Sequence, residues 1–582
     1  MTFQFAAMTL PGFAAPAFPD KGYAVTTEVF VLSGRDRVDL MTRATEVRRM
    51  LGGAPDIDLG DLAYTLNCAP GGPATARLAM VATSVTDLDG KLRLALGRLA
   101  DPACRHIEER SGVYYTETPL YTPGALAFLF PGQGAQYPNM LAELCVRFPE
   151  VRARFELMDR PFAEQHRPLP SRLLFPHPSG RTADDSAALW AMDYGLASVY
   201  TANQALTGLL ARLGIEPDAV LGHSSGDFSA MEVAGVLPMD DAELVRQVLL
   251  LSEVYVRLRG EGRLPTGTLF AVSAADPEHV RAVVERSDGA LTMAMDNCPH
   301  QIVLGGPASV AASAADELRR AGAVCTTLPL DYLPHTPYFA EFTTRLHELH
   351  RQRGAQMRFH PPRTALYSSV TAARYPADPA AVGELVAGQW SKTVRFREAI
   401  EAMHADGVRI FVEAGPCGTL TTFTTDILRG APHLAVPADV EGRGSVTQLA
   451  HLIAQLAAQH VPMTLEYLYA HRSPKRLWTG NGSAQVAPAG SDRFPRLSSE
   501  PLPSLHRPLS ARSIPGQRVA ARPTPEAPAR DTRERVMAAY LDTMDRFLDL
   551  QRHTMRARLA EPHHTDWPHR DHPPVQVCSS RG

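Results

Sequence analysis

Between about Ala24 and Arg472, short apolar runs alternate with stretches of helical spacing, separated by turns rich in Gly and Pro. EVFVLSG reads as a strand and DRVDLMTRATEVRRML as a helix, and ARLAMVATS with DLDGKLRLALGRLA repeats the pair. This predicts a small α/β unit over 24–115. ALAFLFPG then opens a second unit as a buried strand ending in glycine. Strands and helices alternate there as a parallel sheet requires, over 116–266 and again over 331–440, where ALYSSV and RIFVEAG resume the sheet. The stretch 267–330 interrupts it with the order strand, helix, strand, strand, helix, strand, which is the ferredoxin-like βαββαβ arrangement. A short segment, 441–472, follows the second unit. Apolar periodicity then stops. Residues 473–530 are rich in Pro, Ser and Arg and read as a disordered linker. Residues 531–560 hold neither Gly nor Pro, and Met537, Tyr540, Met544, Phe547, Leu548, Gln551 and Met555 share one face of an amphipathic helix. Residues 1–23 read as a flexible lead and 561–582 as a disordered tail.

The chemistry concentrates at AVLGHSSGDFSAMEVAG, where an apolar strand runs through Gly222-His223-Ser224-Ser225-Gly226 into a helix. GxSxG in that context is a nucleophile elbow: the glycines permit a tight turn that exposes Ser224, and the following helix N-terminus favours negative charge beside it. A plain Gly/Ser turn is the competing reading. A serine hydroxyl needs a base. Among 21 histidines, His335 is best placed, in a Pro-punctuated loop after a strand (LPLDYLPHTPYF), against the alternative of a surface-loop histidine. His223 is too close in sequence to serve its neighbour and is expected to line the site. In FLFPGQGAQYPNM, Gly132, Gln133 and Gly134 end a strand and can bring a backbone N–H to a bound acyl oxygen. A phosphate loop is excluded there, because no GK[ST] follows.

Taken in order, FLFPGQGAQYPNM, GHSSGDFSAMEVAG, DNCPHQIVLGG, YLPHTP, WSKTVRF and FVEAGPCGTLT resemble the acyl-CoA:acyl carrier protein transacylases. These include malonyl transacylases and the acyltransferase domains of polyketide synthases. The resemblance covers roughly 125–430, and the unit before it resembles the linker domain between ketosynthase and acyltransferase. It implies an α/β fold: a hydrolase-like parallel-sheet core with an inserted ferredoxin-like subdomain, preceded by a small α/β linker domain. It also implies Ser224 as nucleophile, His335 as base, and the backbone N–H groups of Gln133 and Ser225 as oxyanion donors. The base is expected to be oriented by the main-chain carbonyl of Gln389 rather than by an Asp, which accounts for the missing third triad member. Leu196, His223, Leu249, Asn297, Tyr332 and Pro334 are the expected acyl pocket. The resemblance implies acyl-CoA or a phosphopantetheinyl acyl carrier protein as substrates, with no permanently bound cofactor expected.

Three positions depart from the family pattern. Counting from the nucleophile puts Leu249 where the family carries an arginine for the substrate carboxylate. Leu196 stands for a glutamine, and Pro334 for a small serine. A carboxylate that loses a bidentate guanidinium is left desolvated and unpaired, so the expected acyl group lacks a free carboxylate. Arg246, Arg257 or Arg259 reaching into the site is the competing reading.

Composition adds exclusions. The chain has 582 residues, and 58 Lys+Arg against 62 Asp+Glu leave −4, too balanced for a nucleic-acid binder with a basic face. No apolar run has the length of a membrane span, and the N-terminus has no basic region before its apolar residues, so a cytoplasmic protein is expected. Seven scattered cysteines form no CxxC pair, and the tail histidines His563, His564, His569 and His572 lie on no rigid element, so no metal site is expected. The helix 531–560 resembles stretches that precede carrier domains; docking to a polyketide synthase, or dimerisation, is its expected use. The whole reads as a trans-acting acyltransferase of a polyketide-type pathway. A malonyl transacylase with a different carboxylate clamp, an acyl-thioester hydrolase and a non-catalytic docking subunit are the alternatives.

Overall fold

The computed structural model describes residues 27–477 apart from 54–56, 70–73, 177–187, 238–239, 274 and 354–358. The lead 1–23, most of the linker, the helix 531–560 and the tail lie outside the described residues.

The first unit is a four-stranded antiparallel sheet of β1 (Glu28–Gly34), β2 (Ala76–Ala82), β3 (His106–Glu109) and β4 (Val113–Thr116), ordered β1-β2-β4-β3. Helix Val85–Leu99 packs on β2 and buries Leu88, Leu92, Ala95 and Leu99, the i, i+4, i+7, i+11 stripe of an amphipathic helix. Sequence reasoning missed the β3–β4 hairpin and the helix Leu59–Asn67. The hairpin had a signal: Gly112 turns the chain at φ +97° between two short runs of strand-forming residues.

All of β2 except Arg77 is buried, so both faces of this sheet are covered. Helix Ser445–Ala458, from the segment that follows the second unit, packs against β1, β2 and β4. Its side chains Leu449, Leu452, Ile453 and Leu456 are buried, and His451 shares a 2.7 Å hydrogen bond with the Tyr114 hydroxyl. The expected linker boundary at 473 is too early. Lys475 N–H donates to Asp61, Leu477 N–H donates to Thr65 Oγ1, and Arg476 donates to the Cys68 carbonyl, which fixes 475–477 to the first unit.

The second unit begins with β5 (Leu126–Phe130) and β6 (Ala219–Gly222), wholly buried parallel neighbours. The insertion follows: β7 (Thr268–Ser273), β8 (Thr292–Cys298), β9 (Gln301–Gly306) and β10 (Val324–Thr327), ordered β10-β7-β9-β8. That is the ferredoxin-like order 4-1-3-2. The parallel sheet resumes with β11 (Ala365–Ser368), edged by antiparallel β12 (Ala373–Arg374). Next, β13 (Val394–Arg395) adds to the insertion, parallel to β8, before β14 (Ile410–Glu413) and β15 (Leu434–Pro437) complete a sheet ordered β12-β11-β6-β5-β14-β15. The chain runs outward from β5 to β6 and β11, then returns to the other side of β5 at β14. Such reversals leave a crevice beyond the strands' carboxyl ends.

The helix Ser445–Ala458 is therefore expected to belong to the folded body. A chain ending after Leu477 should melt with the full chain, as followed by circular dichroism. One ending after Gly444 loses four buried large aliphatic side chains, each worth roughly 1.5–3 kcal/mol, and bares the sheet face they cover, so it should be insoluble or strongly destabilised. If it melts normally, the helix is not part of that body.

Candidate active site

Strand β6 ends at Gly222, Ser224–Gly226 make a 3₁₀ turn, and helix Asp227–Val233 follows. Ser224 sits in the left-handed region at φ +55°. Both motif glycines are forced by close approach. A Cβ at Gly222 would lie 2.1 Å from the Asp227 nitrogen, and one at Gly226 would lie 2.0 Å from the Phe130 carbonyl oxygen. Asn203, buried on helix Met192–Arg212, donates to the Pro131 carbonyl at 3.0 Å and to Ser229 Oγ at 3.1 Å, tying the loop after β5 to the helix behind the elbow. Beneath the turn, burial pushes Asp227 up to about 8, and the Tyr375 hydroxyl donates to it at 3.1 Å.

His335, also left-handed at φ +62°, is brought to the elbow with 1% of its surface exposed. Its backbone N–H donates to the Trp390 carbonyl at 2.7 Å, and the Trp390 ring lies nearly parallel to the imidazole, 9° apart in plane. Nδ1 faces two carbonyls, Gln389 at 3.0 Å and Lys392 at 3.2 Å. Carbonyls only accept, so the proton is assigned to Nδ1, leaving Nε2 to accept from the Ser224 hydroxyl at 2.6 Å. Burial pushes the imidazole down to about 4, against the smaller upward pull of the Gln389 carbonyl, so at neutral pH it is an uncharged base. The expected Gln389 contact is present. The Lys392 carbonyl had no signal in the sequence, because any residue carries one; the turn Gln389–Ser391 aims both inward.

The loop after β5 lies against the elbow. The Gln133 N–H donates to Ser225 Oγ at 2.9 Å. The Gln133 side chain donates to the Trp190 carbonyl at 3.0 Å and accepts from the Tyr332 hydroxyl, so it pins the loop between two walls. The Tyr332 ring stacks on Phe339, and Pro334 is buried beside His335 in sequence. His223 hydrogen-bonds Asn297 Oδ1 at 2.7 Å through Nε2, and Asn297 donates onward to Gln301 at 3.0 Å. These two residues join the elbow to β8 of the insertion.

A narrow cavity of about 20 Å³ opens beside Ser225, lined by Leu196, Tyr200, Phe228, Leu244, Gln247, Val248 and Leu251. That is room for about one water molecule. Of the residues expected to form the acyl pocket, Leu196 lines this cavity, whereas His223, Leu249, Asn297, Tyr332 and Pro334 do not, and Leu249 is buried in the apolar core. On helix Asp241–Gly260 it lies about 100° round from Val248, which takes the wall instead. Among the described residues, no cation lines the cavity. Arg246 points outward to Glu164 and Glu243, Arg257 is exposed, and Arg259 pairs with Asp331.

The acyl transferase domain family matches residues 127–461. The chain belongs to this family. Its match runs past the 440 boundary read from the sequence and takes in helix Ser445–Ala458. The acyltransferase is 29% identical over 457 residues to the spectinabilin polyketide synthase system protein NorA′ of Streptomyces orinoci, an alignment covering 76% of this chain and 12% of that protein. The chain thus spans about an eighth of that relative's length. Among solved structures, the acyltransferase domain from module 8 of the salinomycin polyketide synthase shares its fold at TM-score 0.62 and 20% identity, covering 76% of this chain and 98% of that domain. The domain from the second salinomycin module is 26% identical at TM-score 0.54, covering 75% and 95%.

A base held near 4 stays neutral until the medium is strongly acidic. Labelling of Ser224 by a fluorophosphonate should therefore stay flat from about pH 8 to about pH 5 and fall as pH drops through about 4, where Nε2 takes a proton. An exposed imidazole at about 6.5 would already fail near pH 6. Loss of labelling centred there would contradict the buried neutral base.

Proposed function

We propose that the acyltransferase moves an acyl group from CoA or a carrier protein to an acyl carrier protein through an ester on Ser224, acting in trans in a polyketide-type pathway. The observation that carries this reading is the 2.6 Å hydrogen bond from Ser224 to an imidazole whose other nitrogen is held by two carbonyls. Ser224 Oγ attacks the thioester carbonyl as its proton passes to His335 Nε2. The carbonyl oxygen carries the charge of the tetrahedral intermediate. As the C–S bond breaks, the departing sulfur takes the proton from His335 and leaves as a thiol. The carrier's pantetheine thiol then attacks the ester by the same steps in reverse. The Gln389 and Lys392 carbonyls facing Nδ1–H support the imidazolium that forms in passing.

The relatives' description as polyketide synthases supports the pathway. In this reading the acyl-CoA and carrier-protein substrates support a cytoplasmic setting. No helix among the described residues is long and apolar enough to cross a membrane. An intact Ser224–His335 pair argues against a purely docking role.

The acyl group carries no free carboxylate in this reading. Leu196, Leu244, Val248 and Leu251 line the cavity beside Ser225, where a carboxylate would lose water and gain no cation.

Intact-protein mass spectrometry after exposure to acyl-CoA should show one adduct, absent in Ser224→Ala; His335→Ala should acylate slower by about 10²–10⁴-fold. Label surviving Ser224→Ala sinks the reading.

With equal malonyl-CoA and short neutral acyl-CoA, the neutral adduct should dominate. Val248→Arg should raise malonyl loading more than Leu249→Arg, because Val248 lines the cavity. A mostly malonyl adduct on the unaltered protein would overturn the neutral-substrate reading.

A further inference from the structure

The second serine of the elbow does more than fill the turn. Ser225 Oγ accepts the Gln133 N–H at 2.9 Å, so that donor is already engaged before any substrate arrives. The loop is pressed onto this hydroxyl: a Cβ at Gly132 would lie 2.8 Å from it. A hydroxyl that accepts still has its own proton to give. Among the described residues, no hydrogen bond takes the Ser225 proton. Around it, Leu196, Phe228, Leu244, Val248 and Leu251 offer no side-chain acceptor, and the two polar residues of the same lining, Tyr200 and Gln247, make no hydrogen bond to it among the described residues. The free proton therefore sits next in sequence to the nucleophile, in the wall of the cavity, with nothing yet to donate to.

We propose that the Ser225 hydroxyl is itself an oxyanion donor, with the Gln133 N–H behind it as a relay. This rests on the acyl-serine reading and names one more group in it. When Ser224 Oγ bonds to the thioester carbon, the carbonyl π pair moves to oxygen, and the Ser225 O–H donates to that oxygen. No proton changes hands at Ser225. The Gln133 N–H polarises the hydroxyl as it donates, and chained hydrogen bonds of this kind strengthen one another where water is scarce. The opposing account is a cap: the hydroxyl only covers the Gln133 N–H and must be displaced before that group can serve the oxyanion directly.

The two accounts differ in sign at Ser225→Ala. A relay predicts a maximal acylation rate at Ser224 lower by about 10- to 10²-fold, with little change in the half-saturating acyl-CoA concentration. The loss is smaller than the ~10²–10³ of a donor removed outright, because the bared Gln133 N–H takes over in part. Ser225→Thr keeps a hydroxyl and should restore most of the rate, which a purely steric role of position 225 would not allow. Fluorophosphonate labelling of Ser224 is the second readout. It also places an oxygen in the oxyanion site, and it does not depend on which acyl group the protein accepts. The same order is expected: unaltered protein and Ser225→Thr fast, Ser225→Ala slow. A Ser225→Ala protein that labels and acylates as fast as the unaltered chain, or faster, overturns the relay and leaves Ser224 as nucleophile. Unaltered protein that takes no label at Ser224 overturns the acyl-serine reading, and the relay with it.

Discussion

The hydrogen bond between Ser224 and His335 requires two non-glycine residues to hold left-handed backbone conformations at once, φ +55° and +62°. Each such residue costs on the order of 1–3 kcal/mol and persists only where its surroundings over-determine it. Both are over-determined here. At Ser224 the constraint is close packing: Gly226 lies so near the Phe130 carbonyl that any side chain would collide, and Asn203 bonds both sides of the seam. At His335 the constraint is hydrogen bonding, with the backbone N–H and the ring Nδ1–H both satisfied by the stretch 389–392. Strands β5 and β6 supply the first constraint. The second comes from residues more than fifty positions further along the chain than His335.

That second constraint gives the insertion a purpose. Strand β13 begins two residues after Lys392 and pairs with β8, while Arg397 forms an ion pair with Asp296 on β8 at 2.7 Å. His223, inside the elbow, reaches Asn297 on the same strand. β8 is therefore tied both to the nucleophile's turn and to the segment whose carbonyls orient the base. The ferredoxin-like sheet positions the dyad from outside the parallel core, without contributing either of its two members.

Patterns made by side chains were legible in the sequence. The continuous apolar runs of β5 and β14, the βαββαβ order and the GHSSG turn each follow from residue type and spacing, and the structure places them as expected. What depends on backbone or on a helix's rotation was not legible. The Lys392 carbonyl leaves no trace in residue identity. Helix Ser445–Ala458 fell within the short segment read after the second unit, but nothing local says that it returns to cover a sheet more than 300 residues earlier. An ungapped count located position 249 along its helix and could not say which face it takes. One residue is about 100° of rotation, enough to exchange Leu249 for Val248 at the cavity wall.

The same dryness governs base, donors and pocket under the proposed reaction. Burying His335 without a carboxylate holds it near 4, which weakens it as a base but keeps it unprotonated and ready. A weak base needs strong help for the oxygen that becomes negative. Low polarity supplies that help, since a donor such as a backbone N–H or the Ser225 hydroxyl is worth more there than in water. The apolar cavity wall extends that environment towards the acyl group. A carboxylate at the wall would oppose the arrangement twice: it would be unpaired itself, and it would add a second negative charge close to the developing oxyanion. A neutral acyl chain fits both demands. Under the proposed neutral-acyl reading an arginine would have no carboxylate to hold, and the charge of the tetrahedral intermediate would be confined to one oxygen.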